Sequence, residues 1–511
     1  MFTFLVGLII LCVGYFTYGK LIEKILGPDE RTPPAVAMND GVDFLVLPNW
    51  RNMLIQLLNI AGVGPVIGVI LGCKFGAIVF LIIPIGNIIG GAVHDFIGGF
   101  MSMRYKGANL PKLINMMLGK GYYRFFSVFM SILLLLVVAV FINVPAELLK
   151  VTLLKSECFT KFVAGMGVNN VPLTIFWAAV ILIFIYYVCA TLFPVDKVIG
   201  KIYPFFGFLL LLGSAALFIM LIIAGCKDPS LFLESAAFKA GMIKQPIVPV
   251  LFVTIACGII SGFHATQSPI IARTMKSEKF ARRDFYGMMV LEGIIAMIWA
   301  AGGIAIYNLF PNLMKMNPNY VLERITTYFL GNAMGIITVI AVIILAVTSG
   351  DTALRSLRLS VAEIFKVSQT KFLNRVFIVI PMILLVSLLL LWSAKDAQSF
   401  GNIWSYFAWG NQVLAASTLL AGASYLLMQK KNCLIALLPG LFMTFIVVCY
   451  ILWVSPANTG TNGPWGLGID LKYAYLHAFE ISILIGWLVI LRGRKLAANG
   501  LDEEFKKEFE K

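Results

Sequence analysis

The chain has 511 residues, of which 60% are hydrophobic and 13% charged, with a mean hydropathy of +0.92 and a formal net charge of +15. No soluble domain of this length covers so much apolar surface, so a water-soluble globular fold is excluded and an all-α polytopic membrane protein is implied. In such a chain the basic residues mark the side of the membrane on which loops lie, and no nucleic-acid partner is expected.

With about 20 apolar residues per span, the sequence predicts thirteen transmembrane helices. They fall at 2–18, 52–72, 75–99, 124–143, 173–194, 204–225, 247–267, 286–308, 333–350, 373–394, 406–427, 433–454 and 471–491. The first apolar run has no basic residues before it and ends at Tyr18-Gly-Lys20 without a small-residue cleavage site, so it is expected to stay as span one. The longest polar connections, 19–51, 144–172, 264–285 and 351–372, are short enough to be loops or surface helices. The tail 502–511 mixes Glu and Lys and reads as a solvated helix end. With the N-terminus outside, 29 of the 40 Lys and Arg lie on the inner side and 11 on the outer. That asymmetry predicts an external N-terminus and a cytoplasmic C-terminus. The eight cysteines occur singly with no C-x-x-C pair, which gives no support to a zinc ribbon or dithiol redox motif. Cys158 and Cys226 both fall on or near outer loops and could pair, against a plainer reading as isolated small apolar residues.

Two spans are interrupted. Span two contains Ala61-Gly-Val-Gly-Pro-Val-Ile-Gly68, and Cys257-Gly-Ile-Ile-Ser-Gly-Phe-His-Ala-Thr-Gln-Ser-Pro269 closes span seven. Irregular backbone at membrane depth is tolerated only where it lines a cavity or is buried in protein. Pro65 has no N–H to donate to the carbonyl of Ala61, while Gly62, Gly64 and Gly68 permit close approach. Freed carbonyls suit a cation. A half-helix opening at Pro65 directs its amides and positive dipole end at an anion such as a substrate carboxylate. The plainer alternative is a Pro-kinked packing helix. In the second interruption, Ser261, Gly262, His264, Thr266, Gln267 and Ser268 are too polar for lipid, so the run either lines a pathway or begins loop seven. The two interruptions lie five spans apart and run in opposite directions, which predicts inverted five-helix halves, an organisation of many secondary transporters. Repeat one is then 52–225 and repeat two 247–427. Residues 1–51 supply a first helix and loop, 433–491 peripheral helices, and 492–511 a tail.

Ionisable residues inside spans are costly and mark function or pairing. His94 and Asp95 lie late in span three, Glu292 early in span eight and Asp351 at the end of span nine; with His264 they are expected in the inner third of the membrane, where a shared polar site is predicted. Thr348 and Ser349 place adjacent hydroxyls where span nine would face the first interruption, suiting a hard cation. Such hydroxyls also bond their own helix. His477 and Glu480, three residues apart in span thirteen, read as a local pair. His94, Asp95 and His264 would hold a metal only if spans three and seven meet. No spacing for a metalloenzyme or nucleophile–base pair occurs, so an enzyme is not expected. A channel would use the same broken helices.

Several blocks carry a family resemblance: Arg31-Thr-Pro-Pro with Met38-Asn-Asp-Gly-Val-Asp43, the run 61–68, Gly91-Ala-Val-His-Asp-Phe96, and Ser102-Met-Arg-Tyr-Lys-Gly107. Cys257-Gly-Ile-Ile-Ser-Gly-Phe-His264, Thr348-Ser-Gly-Asp-Thr-Ala-Leu-Arg-Ser-Leu-Arg358 and Phe400-Gly-Asn-Ile-Trp-Ser-Tyr-Phe-Ala-Trp-Gly-Asn-Gln412 continue the series. In these the chain resembles the carbon starvation protein CstA family of bacterial peptide and pyruvate transporters. The resemblance implies a bacterial plasma-membrane importer with a LeuT-like fold of the amino acid–polyamine–organocation superfamily, in which Thr348-Ser349 is similar to a sodium-binding hydroxyl pair. The chain departs from many members in its shortness, and has His94 where some relatives are expected to carry Gln. The predicted mechanism is proton- or sodium-coupled alternating access, with no cofactor beyond the coupling ion. The substrate carboxylate would dock at Gly62, Gly64, Pro65 and Gly68, facing Ser261, Gly262, His264 and Gln267. Ala61, His94, Asp95, Glu292, Thr348, Ser349 and Asp351 would serve the ion.

Overall fold

The computed structural model describes residues 1–40, 44–192, 199–232, 245–365, 367, 371–395, 397–460 and 463–509. The Gly41–Asp43 part of one family block and the inner end of span five lie outside them. All regular structure among the described residues is helical. Helices α1 (Phe2–Phe16) and α2 (Tyr18–Leu26) come first, followed by the broken pair α3 (Asn49–Ile60) and α4 (Gly64–Phe75). Next are α5 (Val79–Arg104), α6 (Leu110–Leu118), α7 (Lys120–Leu153), α8 (Val171–Leu192) and α9 (Ile199–Lys227). Span seven is made of short turns at Ile247–Leu251, Phe252–Thr254 and Ala256–Ile259, then α10 (Gly262–Ala272). The chain finishes with α11 (Met288–Leu309), α12 (Pro318–Ile364), α13 (Phe372–Ser393), α14 (Ala397–Met428), α15 (Leu434–Trp453), α16 (Leu471–Asn499) and α17 (Glu503–Phe509).

Among the described residues, ten helices are long and apolar enough to cross a membrane, or eleven when the bent pair α3–α4 counts as one span. The expected spans at 247–267 and 406–427 are not among them. The first is broken into pieces too short to qualify, and the second, α14, carries Asn402, Ser405, Asn411, Gln412, Ser417 and Thr418 along its length. Span nine also differs from expectation. Instead of ending near residue 350, α12 runs on to Ile364, and it bends at Gly331, whose φ of +73° only glycine adopts without strain.

Burial sorts the helices into a centre and a rim. The most apolar stretch of α11 is 89% buried and that of α16 only 28%, as expected of a central helix and a lipid-facing one. Helix α11 reaches the centre because its small residues admit neighbours. A Cβ on Gly293 would stand 2.6 Å from Asn87 Nδ2, and one on Gly303 would stand 3.0 Å from Cys73 Sγ. Around it, α1 packs on α5 and α11, α12 lies along α7 and α9, and α14, α15 and α16 form a neighbouring layer. Without a hydrophobic driving force between helices in lipid, such close packing and interhelical hydrogen bonds hold the bundle together.

The end rich in basic residues is tied by charge. Arg104 Nη2 donates to Glu278 Oε2 at 2.7 Å and to the Gly27 carbonyl at 3.0 Å, while Arg31 pairs with Asp29 at 2.8 Å. Lys279 pairs with Glu30, and Arg282 with Glu23 at 2.7 Å. Hydrogen bonds from Arg31 hold the Asp29 carboxyl well below the usual carboxylate range, and Arg492 lowers Asp502 in the same way. Arg273, at the end of α10, donates to the Gly107 carbonyl at 2.9 Å and to Asn109 Oδ1 at 2.8 Å. The turn it grips has Lys106 and Gly107 at φ 53° and 72°, closed by Ser102 Oγ on the Ala108 carbonyl at 2.9 Å.

Candidate functional site

The first interruption is a true break. Helix α3 ends at Ile60, Ala61 leaves helical geometry (φ −76°, ψ 49°), and α4 starts at Gly64 with Pro65 in its first turn, bent by 53° from α3. Pro65 thus opens a half-helix, as the missing N–H predicts. The glycines serve packing more than a cavity. A Cβ on Gly64 would stand 2.1 Å from Cys257 Cβ, one on Gly68 2.8 Å from the Thr254 carbonyl oxygen, and one on Gly62 3.1 Å from Phe141. The two interrupted spans therefore touch at their breaks.

The second break falls near the start of the interrupted run Cys257–Pro269. Ile260 (φ −164°, ψ 127°) and Ser261 (φ −129°, ψ 122°) are extended, and the polar run from Gly262 forms α10 instead of loop seven. Pro269 sits inside this helix. Ser261, His264, Gln267 and Ser268 are all buried, with Ser268 Oγ on the His264 carbonyl at 3.0 Å and Gln267 Nε2 on Thr266 Oγ1 at 2.8 Å. The Gln267 Oε1 atom has no hydrogen-bond partner among the described residues.

Helix α10 packs against α5, and this brings four of the predicted ionisable residues together. Asp95 Oδ1 lies 2.8 Å from His94 Nδ1, and Asp95 Oδ2 lies 3.1 Å from His264 Nδ1. On the far side of the same imidazole, His264 Nε2 approaches Glu292 Oε2 to 3.6 Å. The result is a row, His94–Asp95–His264–Glu292, built from α5, α10 and α11 and shut away from solvent, with exposures of 0 to 1%. Among the described residues, neither Glu292 oxygen nor His94 Nε2 has a hydrogen-bond partner, so each end of the row keeps open bonding capacity. The two Nδ1 atoms engage different oxygens of one carboxylate and do not converge on a common point. Among the described residues no group of three or more His, Cys, Asp or Glu is placed to hold a metal ion.

The remaining predicted residues divide. Ser349 Oγ lies 3.4 Å from the Leu58 carbonyl and close to Gly62, so α12 does face the first break. Thr348 Oγ1 bonds the Leu345 carbonyl of its own helix at 3.0 Å, the ordinary alternative for a membrane hydroxyl. Asp351 does not join the shared polar site. It turns toward α8, where Tyr186 donates to its Oδ2 at 2.8 Å, and Arg355 one turn on donates to the Ala190 carbonyl at 2.7 Å. Cys158 and Cys226 are free thiols, and His477 pairs with Glu480 at 3.0 Å on an exposed face.

Several neutral residues were not singled out individually from the sequence. Asn52 and Thr274 exchange two hydrogen bonds between α3 and the end of α10, at 3.1 and 2.8 Å. Asn87 Nδ2 donates to the Met289 carbonyl at 3.0 Å. Phe141 meets Phe263 and Phe407 edge-on at 5.9 and 6.0 Å, placing an aromatic cluster beside the first break. Asn and Gln recurring inside apolar spans were the available signal.

Paired breaks in contact, beside a buried ionisable row, belong here to a multi-pass, all-helical membrane protein with a LeuT-like fold. Solved structures bear out the fold. The chain is similar to an Eremococcus coleocola manganese transporter in complex with an aromatic bis-isothiourea substituted compound, at a TM-score of 0.52 and 14% identity, with 90% of this chain and 99% of that one covered. It is also similar to MhsT in complex with L-phenylalanine, at 0.50 and 14%, covering 88% and 99%. The model of the carbon starvation protein CstA family matches residues 1–176, 151–323 and 316–449, and the chain belongs to that family. Among its relatives, an uncharacterized membrane protein of Haemophilus influenzae is 40% identical, covering 58% of this chain and 89% of that protein. The peptide transporter CstA of Helicobacter pylori is 26% identical over 56% of this chain and 48% of its own length, and that of Bacillus subtilis 26% identical over 57% and 56%. The chain thus spans about half the length of these peptide transporters.

Proposed function

We propose that the protein is a secondary active transporter that imports peptides or small carboxylates such as pyruvate across the bacterial plasma membrane, coupled to protons. The observation that carries this reading is the buried row His94–Asp95–His264–Glu292 beside two helix breaks in contact. With both imidazoles neutral and both carboxylates ionised, the row would hold two uncompensated charges away from water, which is strongly unfavourable. Taking up a proton lowers that cost, and the proton's charge offsets that of an incoming carboxylate. Substrate and proton then favour each other's binding. The substrate lies near the half-helix opening at Pro65, with Gly62, Ser261 and Gln267 around it, and an ammonium group of a peptide has Asp95 or Glu292 as partner. Repeats 52–225 and 247–427 rock against each other to alternate access, with the N-terminus outside and the C-terminus cytoplasmic. Lipid surrounds the rim, and no cofactor besides the coupling ion is involved.

Sodium coupling is the second reading, favoured by Ser349 Oγ next to the Leu58 carbonyl and the break at Ala61. Uptake of labelled pyruvate and of a dipeptide into proteoliposomes, under separately imposed proton and sodium gradients, tests both. Proton-driven accumulation of either substrate supports the main reading, sodium-driven accumulation the second. Absence of uptake of both substrates under both gradients removes the proposal, and single-channel current would replace the carrier by a channel.

A further inference from the structure

The block ending at Gly410-Asn-Gln412 has no role in the account so far, yet α14 packs directly on α10. Breaking span seven at Ile260 and Ser261 strands the first amides of α10, which no residue of the helix itself can satisfy. Ser261, at the cap position, makes no side-chain cap bond. The cap comes from another helix. Asn411 Oδ1 accepts from the Phe263 N–H at 2.9 Å, and Asn411 Nδ2 donates to Ser261 Oγ at 2.9 Å and points at Cys257 Sγ at 3.6 Å. One amide therefore holds both sides of the break, the α10 side through Phe263 and the preceding turn through Cys257. Gln412 adds a second hold further back, with Nε2 on the Phe252 carbonyl at 3.2 Å. Asn411 and Gln412 are fully buried.

Backbone contact makes the hold close. A Cβ on Gly262 would stand 2.3 Å from Leu414 Cβ and 2.4 Å from both the Ala415 nitrogen and the Asn411 carbonyl oxygen, so nothing separates the break from α14. His264 follows one residue after the clamped Phe263, and its own N–H returns to the Ser261 carbonyl at 3.1 Å. The rotation of this first turn sets where the imidazole points, and here it points between Asp95 and Glu292.

We infer that Asn411 is a positioning residue: it clamps the hinge of span seven to α14 and so keeps His264 in the buried row. The inference rests on the transporter reading for its meaning, but the clamp has a readout of its own. Hydrogen–deuterium exchange of the full chain in nanodiscs, followed on peptides covering 256–268, reports the Phe263 amide and its neighbours directly. Asn411→Ala removes the contacts to Phe263, Ser261 and Cys257 and is expected to speed exchange in this segment by roughly tenfold, with peptides of α7 and α12 unchanged. Asn411→Asp keeps an acceptor for Phe263 and should restore most of the protection, since Asp and Asn cap equally well. If Asn411→Ala does not fold, Ser261→Ala, which removes one arm only, should give a smaller local increase. In the same variants, the pH midpoint of gradient-driven uptake should move for Asn411→Ala and return toward wild type for Asn411→Asp. Unchanged exchange at 256–268, or an equal increase throughout the molecule, overturns the clamp. Altered local exchange with an unmoved pH midpoint overturns its link to His264. If wild-type protein accumulates no substrate under any gradient, the transporter reading fails while exchange still decides the clamp.

Discussion

Substituting Gly64 by alanine tests whether the two breaks bear on each other as closely as the structure shows. The added Cβ would stand 2.1 Å from Cys257 Cβ and 2.3 Å from its Sγ, and the Cβ cannot swing aside because it is fixed to the backbone. Restoring a contact of 3.4 Å requires the two segments to part by about 1.3 Å at this point. Overpacking of this kind costs about 1–3 kcal/mol. Against it, replacing glycine stiffens the unfolded chain and returns only about 0.4–1 kcal/mol. The net is destabilising. Cys257→Gly removes the opposing Cβ, so the double variant should recover much of the loss even though glycine in a helical turn itself costs about 1 kcal/mol. Thermal unfolding of purified protein, followed by tryptophan fluorescence and by the monodisperse fraction on size exclusion, gives the four corners of the cycle. A Gly64→Ala variant as stable as wild type, or a double variant no better than the sum of its parts, would refute the packing.

Other predictions follow the same geometry. Gly350→Ala puts a Cβ 1.9 Å from the Tyr187 hydroxyl, which bonds the Phe141 carbonyl at 2.9 Å, and 2.5 Å from the ring carbon that bears it, so it should lower the yield of folded protein measured by size exclusion, and an unchanged yield would contradict the packing. Asp29 and Asp502 have carboxyls lowered by arginine hydrogen bonds, so the stability they add is full above about pH 4, their unfolded range, and fades as pH falls through the lower folded values. Asp29→Asn should therefore flatten the acid limb of a melting-temperature profile below pH 4, and an unchanged limb would contradict the pairing. Glu292→Gln should leave the protein folded, since no hydrogen bond to either oxygen is lost, but reduce proton-driven uptake by tenfold or more; full uptake would remove Glu292 from the row. Ser349→Ala should change uptake only in a sodium gradient, which separates the two coupling readings.

The first break was legible because its cause is local: Pro65 has no N–H and glycines surround it. Within the second interruption, Cys257–Pro269, the sequence alone does not locate the break. Pro269 is accommodated inside α10, while the break at Ile260–Ser261 is hydrogen-bonded by Asn411 of α14, a partner 150 residues away from Ser261. Helix α12 was cut short for a related reason. Asp351 and Arg355 read as the start of a loop, yet each finds a hydrogen-bond partner on α8, Tyr186 for one and the Ala190 carbonyl for the other, and the helix continues. Of the site, His94, Asp95, His264 and Glu292 could be found because an ionisable group in a span demands an explanation. Asn411, Asn52 and Asn87 could not be ranked individually, since a neutral amide is cheap enough to occur without a partner in view, and only the fold shows whose backbone each one meets.

On the proposed function, the buried row couples proton movement to substrate. The most direct test of this coupling is accumulation of a labelled dipeptide or pyruvate in proteoliposomes under an imposed pH gradient, wild type against Asp95→Asn, with folding checked by size exclusion. Asp95 is the member that both imidazoles engage, at 2.8 and 3.1 Å. Wild type should accumulate substrate and Asp95→Asn should not, while remaining folded. Undiminished proton-driven accumulation by a folded Asp95→Asn protein would contradict the account.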